Sequence, residues 1–345
     1  MSNRQTRELA FHGYVADRVR LEPGDCREVL RSLPDCSIDS VCTDPPYALV
    51  SIAKRFGKAG AAPAGFGTDG AYARAARGFM GQTWDTGETA FAAAFWADVL
   101  RVLKPGGHVV AFAGTRTYHR LAVAIEDAGF EIRDQLGWLY GTGFPKSHRV
   151  GEGLGTALKP AWEPIVLARK AVEGTVAGNV LTWGTGGLSV EACQIAAPDG
   201  VPMFRKRNEN SKNTFGDGLN GSNRTGARAA TRWPANVLHD GSDEVLAAFP
   251  GRESRFFYAA KASAWDRAGS EHPTVKPVSL MRWLVRLVTP PGGLVLDPFA
   301  GSGTTGTAAY LEGMRCVLVE REAAYQRDIE NRLVALCQAV RPDWA

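Results

Sequence analysis

Two consecutive prolines close the apolar run Ile38 to Thr43, with an aspartate before them and a tyrosine after, giving Asp44-Pro45-Pro46-Tyr47. Ile38, Val41 and Cys42 mark the run as a buried strand, and the prolines forbid its continuation. The Asp44 carboxylate therefore stands at a strand's carboxyl end, where open α/β sheets keep their ligands. The prolines fix φ and donate no backbone hydrogen bond, so the Asp44 side chain and the Pro45 carbonyl form a rigid pair of acceptors beside an aromatic ring. Such a pocket suits a flat group that carries an NH2. The same residues also read as a strand ending in a proline turn with a core tyrosine, and the surrounding chain has to choose between the two.

Strands and helices alternate around this stretch. Val19 to Leu21 reads as a strand ending at Glu22-Pro23-Gly24-Asp25, followed by a helix from Cys26 to Leu33. Asp25 at that turn is, taken alone, a helix N-cap. Phe91, Phe95, Val99 and Leu103 recur at spacing four, which predicts a helix over Glu88 to Leu103 ended by Lys104-Pro105-Gly106-Gly107. His108 to Ala113 is expected as a strand, Tyr118 to Ala128 as a helix, and Phe130 to Tyr140 and Glu163 to Ala168 as strands. The alternation argues for βαβ units, a mainly parallel sheet and helices on both faces. With 345 residues, the chain can hold one large domain with an insertion.

Two stretches break the pattern. Ala48 to Gly87 is rich in glycine and alanine and leaves directly from the Asp44 site; it reads as a mobile cover or as a tolerated surface insertion. Past Lys170 the texture changes to glycines, asparagines and short strand-like pieces, with no helical period until the 240s. From Val201 to Arg232, Arg205, Lys206, Arg207, Lys212, Arg224, Arg228 and Arg232 stand against only Glu209 and Asp217. This basic, donor-rich insertion reads either as a nucleic-acid contact or as a solvated loop.

The net charge of +4 is too small to demand a polyanionic partner, so the placement of charge matters more than its sum. The opening MSNRQTRELAFHGYVADRV has no apolar core of signal type, and no stretch approaches the roughly 18 apolar residues of a membrane span. Six scattered cysteines without a C-x-x-C pair are expected as reduced thiols in a cytoplasmic protein that binds neither metal nor membrane.

Near the end, a helix from Ser279 to Val288 precedes the apolar strand Leu294-Val295-Leu296. That strand runs into Asp297-Pro298-Phe299-Ala300-Gly301-Ser302-Gly303-Thr304-Thr305. A helix from Thr304 to Glu312, a strand from Arg315 to Val319 and an acid at Glu320 follow, and a last helix spans Ala323 to Val340. Strand, glycine turn, helix, strand and an acid about 20 positions on is the layout of a nucleoside-cofactor site, in which Glu320 can accept both hydroxyls of a ribose. The turn is G-S-G and not the full G-x-G-x-x-G, which favours a single adenosyl group over a dinucleotide. Without a lysine after the glycines it is not an ATP P-loop either.

The D-P-P-Y stretch and the D-P-F-A-G-S-G turn together resemble the S-adenosylmethionine-dependent DNA amino-methyltransferases. The order, with D-P-P-Y first, a basic insertion between and the cofactor motif last, resembles the β group of that family, over Asp25 to Glu320. Lys261-Ala262-Ser263, His272-Pro273-Thr274-Val275-Lys276-Pro277, Gly141 to Ser147 and Trp162-Glu163-Pro164-Ile165-Val166-Leu167 are similar to family sequence too. The resemblance implies a circularly permuted Rossmann-like methyltransferase sheet. Its halves would be 1–172 (catalytic) and 263–345 (cofactor-binding), with an inserted target-recognition region at 173–262.

By the same resemblance, Asp44, Pro45, Pro46 and Tyr47 are catalytic, and the cofactor's adenine lies near Asp25, Cys26 and Asp44 to Tyr47. The ribose falls to Glu320 with Arg321 beside it, and the methionine to Asp297 to Thr305, Thr274 and Lys276. Seven basic residues of the insertion are candidates for contact with double-stranded DNA, and the resemblance implies a homodimer. D-P-P-Y favours adenine N6, flipped out of the duplex, whereas cytosine-N4 enzymes more often carry serine in place of Asp44. Cytosine-C5 chemistry needs a cysteine after proline, and no Pro-Cys occurs. Other readings are an RNA or protein N-methyltransferase, which usually has asparagine before Pro-Pro, a catalytically silent DNA-binding module, and more distantly a nicotinamide dehydrogenase.

Overall fold

A computed structural model describes residues 14–16, 18–47, 88–141, 143, 149–206, 222–249, 257–259, 266 and 275–340. The 48–87 segment, Lys261 to Ser263, Thr274, Arg207 and Lys212 lie outside the described residues. The chain opens with β1 (Tyr14–Ala16), β2 (Val19–Pro23), α1 (Cys26–Ser32) and β3 (Ile38–Thr43). It continues with α2 (Ala93–Val102), β4 (Leu103–Phe112), α3 (Tyr118–Asp127) and β5 (Glu131–Leu139). After the short pair β6 (Arg149–Gly151) and β7 (Leu154–Gly155) come β8 (Trp162–Arg169) and α4 (Val176–Trp183). The ribbon strands β9 (Ile195–Lys206) and β10 (Ser222–Arg232) follow, then β11 (Val237–His239), α5 (Asp243–Ala247) and β12 (Tyr258–Ala259). The last part is α6 (Val278–Val288), β13 (Leu294–Asp297), α7 (Thr304–Leu311), β14 (Arg315–Glu320) and α8 (Ala323–Val340).

Ten strands form one sheet in the order β1-β2-β14-β13-β3-β4-β8-β5-β11-β12. The expected mainly parallel sheet is present: β2, β14, β13, β3 and β4 run parallel at its centre. β8 runs antiparallel to both of its neighbours, β4 and β5. The period-2 alternation of the strands divides the core in two. Val41, Val109, Leu294 and Leu296 pack with α1, α2 and α3, while Cys42, Val110 and Val295 pack with α6, α7 and α8 on the other face.

The helix expected from Glu88 begins only at Ala93, and the Lys104 to Gly107 stretch lies inside β4 instead of in a turn. Gly106 explains this. At φ +76° its N–H reaches the Lys170 carbonyl at 3.1 Å, and the ladder between β3 and β4 shifts register there. A bulge absorbs the proline that would otherwise stop a strand.

The glycine-rich stretch after Lys170 holds an unexpected helix, α4. It is set by its ends and not by an apolar face: the Thr175 side chain accepts from the Gly178 N–H, and Gly184 closes the helix at φ +77°. Its buried residue is Asn179, which donates to the Pro105 and Thr185 carbonyls. β9 and β10 form a separate antiparallel ribbon, whereas β11 and β12 join the large sheet beside β5.

Candidate active site

Parallel neighbours bring the expected residues to one edge of the sheet. β13 pairs with β3 and β14, and β14 with β2, so Asp44, Asp297, Glu320 and Asp25 all follow or end adjacent strands at their carboxyl ends. The Gly24 N–H donates to the Glu320 carbonyl at 3.0 Å, which sets Asp25 beside Glu320.

Asp44 is bound on one oxygen only. Lys276 Nζ donates to its Oδ2 at 2.6 Å, whereas Oδ1 is buried with no hydrogen-bond partner. Lys276 Nζ also lies 3.2 Å from both Tyr47 Oη and Glu163 Oε2, and the Tyr47 hydroxyl donates to the same Glu163 oxygen at 3.0 Å. The ammonium sits over the Phe112 ring, 4.9 Å from its centroid. Burial pulls the Lys276 pKa down, but the Asp44 and Glu163 carboxylates outweigh it and hold the ammonium above its ordinary value. Burial, with the charges of Asp44 and Glu163, raises the Tyr47 phenol well above its usual range. Both groups therefore keep their protons at neutral pH. Thr117 Oγ1 donates to the Tyr47 carbonyl at 2.8 Å and fixes the end of the D-P-P-Y turn.

The second half of the site is built by β13, α7 and β14. Asp297 Oδ1 accepts from Thr43 Oγ1 at 2.6 Å and from the Phe299 N–H at 3.1 Å, and its Oδ2 accepts from Thr305 Oγ1 at 2.5 Å. Burial nevertheless pushes its carboxyl up to about 6. Gly303, at φ +75°, precedes α7, and a β-carbon there would lie 2.9 Å from Ile329 Cγ1. Glu320 accepts from the Gly301 N–H on Oε2 and from the Glu322 N–H on Oε1, each at 2.8 Å. Burial pushes it up to about 7. Each of its oxygens has a second lone pair left for a hydroxyl.

Asp25 caps α1, its Oδ1 accepting from the Arg27 N–H at 2.9 Å, and the Arg27 guanidinium holds the carboxyl down at about 2. Burial raises the Cys26 thiol to about 12, which keeps it unreactive. Arg321 is paired with Glu322 at 3.1 Å. Of the seven basic candidates, Arg205 and Lys206 fall on β9 and Arg224, Arg228 and Arg232 on β10.

Sequence reasoning assigned no individual role to Glu163, Thr43 or Arg332. Arg332 is buried and donates to the Ser302 carbonyl at 3.2 Å and to the Asp266 carbonyl at 2.6 Å, bracing the glycine turn. A charge at the head of the apolar run Pro164 to Ala168 was the available signal for Glu163, which is half-buried in β8. No cluster of His, Cys, Asp or Glu among the described residues could hold a metal, and none of their helices is long and apolar enough to cross a membrane.

Comparison with known proteins agrees with this arrangement. The chain is 28% identical over 227 residues to the Type II methyltransferase M.HindIII of Haemophilus influenzae, covering 61% of this chain and 57% of that one. It is 41% identical over 78 residues to the methylase-like protein YubD of Escherichia coli K12, covering 22% of this chain and 34% of the relative. The matches thus span about a third to just over half of these curated relatives. The solved structure of PvuII DNA methyltransferase (cytosine-N4-specific) shares the fold, with a TM-score of 0.51 at 17% identity over 94% of this chain and 92% of that one. The family model described as DNA methylase, of the N6/N4 type, matches residues 38–331. A match over most of the chain, with the acidic strand ends gathered on one sheet edge, means that the protein belongs to the N6/N4 DNA methylase family.

Proposed function

We propose that the protein transfers a methyl group from S-adenosylmethionine to the exocyclic N6 amine of an adenine flipped out of duplex DNA. The observation that carries this reading is the divided carboxylate of Asp44, with Oδ2 engaged by Lys276 and Oδ1 buried and unpartnered. A buried acceptor without a donor is costly, and it is satisfied when an N–H donor enters. The Pro45 carbonyl is the second acceptor, so the pair takes both hydrogens of an NH2 group. Holding those hydrogens localises the nitrogen lone pair, which in a free adenine is delocalised into the ring. The Tyr47 ring is the stacking surface for the flipped base. An aspartate at position 44, in place of serine, supports adenine over cytosine.

The cofactor-side residues fit the ligand. Glu320 accepts the ribose hydroxyls, Asp25 and the Asp44 to Tyr47 turn border the adenine, and Asp297 to Thr305 hold the methionine end. No side chain caps α7, so its first-turn N–H groups suit a carboxylate. S-Adenosylmethionine supplies an activated methyl whose bond to sulfur breaks as the bond to nitrogen forms, leaving a neutral thioether. The extra proton then on the nitrogen is taken up by Asp44 and passed to water. The β9–β10 ribbon within 173–262 is the DNA-recognition element in this reading, since a two-stranded ribbon fits the major groove.

The test is tritium transfer from labelled S-adenosylmethionine to unmethylated genomic DNA, followed by nucleoside chromatography. Label is expected in N6-methyladenine. Label in N4-methylcytosine would overturn the base, and no transfer at all would overturn the activity. Asp44→Ala is expected to bind the cofactor and lose transfer.

A further inference from the structure

Glu163 has no role in the reaction as proposed so far, yet two of its neighbours do. It lies on β8, paired in register with Trp138 of β5, and its Oε2 meets both Tyr47 Oη, at 3.0 Å, and Lys276 Nζ, at 3.2 Å. Two carboxylates, Asp44 and Glu163, share one buried ammonium. Among the described residues, the target end of the pocket therefore has one carboxylate more than it has ammonium groups.

We propose that Glu163 is a positioning residue that orients Tyr47 and Lys276 and supplies the surplus negative charge of the target end. This rests on the methyl-transfer reading above. With Glu163 in place, Lys276 is anchored from two sides, so it holds Asp44 through Oδ2 and leaves the buried Oδ1 without a donor. Methyl transfer moves a positive charge from sulfur onto the target nitrogen, toward Asp44 and Glu163. A fixed negative group on that side stabilises the charge as it develops and costs no reorganisation at the moment of reaction. The same surplus favours a cationic sulfonium over a neutral thioether before any transfer occurs.

The experiment compares Glu163→Gln with the parent by isothermal titration with S-adenosylmethionine and with S-adenosylhomocysteine. Glutamine keeps an acceptor for the Tyr47 hydroxyl and removes only the charge. The preference for the sulfonium is expected to fall about threefold to tenfold while homocysteine-form affinity holds. The single-turnover methyl-transfer rate at saturating DNA is expected to fall about tenfold to a hundredfold. A merely structural role would weaken both ligands together. An unchanged preference together with a parent-like rate overturns the role of Glu163 and leaves the methyltransferase reading standing. Failure of the parent itself to bind either ligand sinks both. If the glutamine variant does not fold, Glu163→Asp is expected to keep the sulfonium preference, because it keeps the charge, and to slow transfer, because it cannot span both partners. A parent rate in that variant overturns the proposal.

Discussion

Thr43 and Asp297, 254 positions apart in the chain, meet in a 2.6 Å hydrogen bond at the ends of neighbouring central strands. Thr305, from the first turn of α7, closes on the other oxygen of Asp297. The two sequence motifs are thus joined through one buried carboxyl, which is 2% exposed.

That carboxyl makes a pH prediction. Burial raises Asp297 from 3.8 to about 6, so between those values the folded chain holds a proton that the unfolded chain has released. Its contribution is fully present below about 4 and is lost as pH rises through about 6, an effect on the order of a few kcal/mol. Asp297→Asn removes the titration. In urea unfolding, the variant is expected to gain stability relative to the parent on going from pH 4.5 to pH 7.5. A parent-minus-variant difference that stays flat across this range would contradict the burial argument.

Glu320 yields a binding prediction of the same kind. Burial pushes its carboxyl up to about 7, and the ribose proposed to sit on it needs a double acceptor, which only the ionised form provides. S-Adenosylmethionine should therefore bind more tightly as pH rises from 6 to 8, by up to about tenfold per unit on the acid side, and level off above. Calorimetry in buffers of different ionisation enthalpy should register proton release below pH 7. Glu320→Gln should bind weakly with no such slope; a profile identical to the parent's would move the ribose elsewhere.

Much of this was legible in the sequence because strand ends are punctuated. Ile38 to Thr43 is bounded by prolines and a turn, and the expected strand coincides with β3 residue for residue. α8 likewise spans Ala323–Val340 as its apolar face predicts, with Ile329, Leu333 and Leu336 buried. α4 escaped because its identity rests on caps and on one buried asparagine, not on an apolar period. The reversed direction of β8 escaped because alternation encodes faces and not direction. Lys276 and Asp44 are 232 positions apart, and no local pattern announces a contact of that span. The resemblance assigned Lys276 to the methionine, and the fold sets it on the D-P-P-Y carboxylate at 2.6 Å.

The ribbon carries the last prediction. Across β9 and β10, Arg205 pairs in register with Asn223, Lys206 with Ser222, Arg224 with Phe204 and Arg228 with Pro202. Four basic positions are therefore gathered near one another on a two-stranded element separate from the large sheet. Counterion release makes each neutralised phosphate steepen the fall of log K with log salt by about 0.9. Replacing these four residues with glutamine should weaken binding to any duplex and flatten the slope by about 0.9 for every phosphate that the variant no longer neutralises. Affinity for S-adenosylmethionine should not change, because the residues proposed to hold the cofactor lie at the strand ends of the large sheet. Filter binding across a salt series separates the outcomes. A uniform weakening with a shallower slope places phosphate contacts on the ribbon. A vanished preference among sequences at constant slope would mean that these side chains read base edges instead. An unchanged slope and unchanged preference would put the DNA surface on another part of the chain.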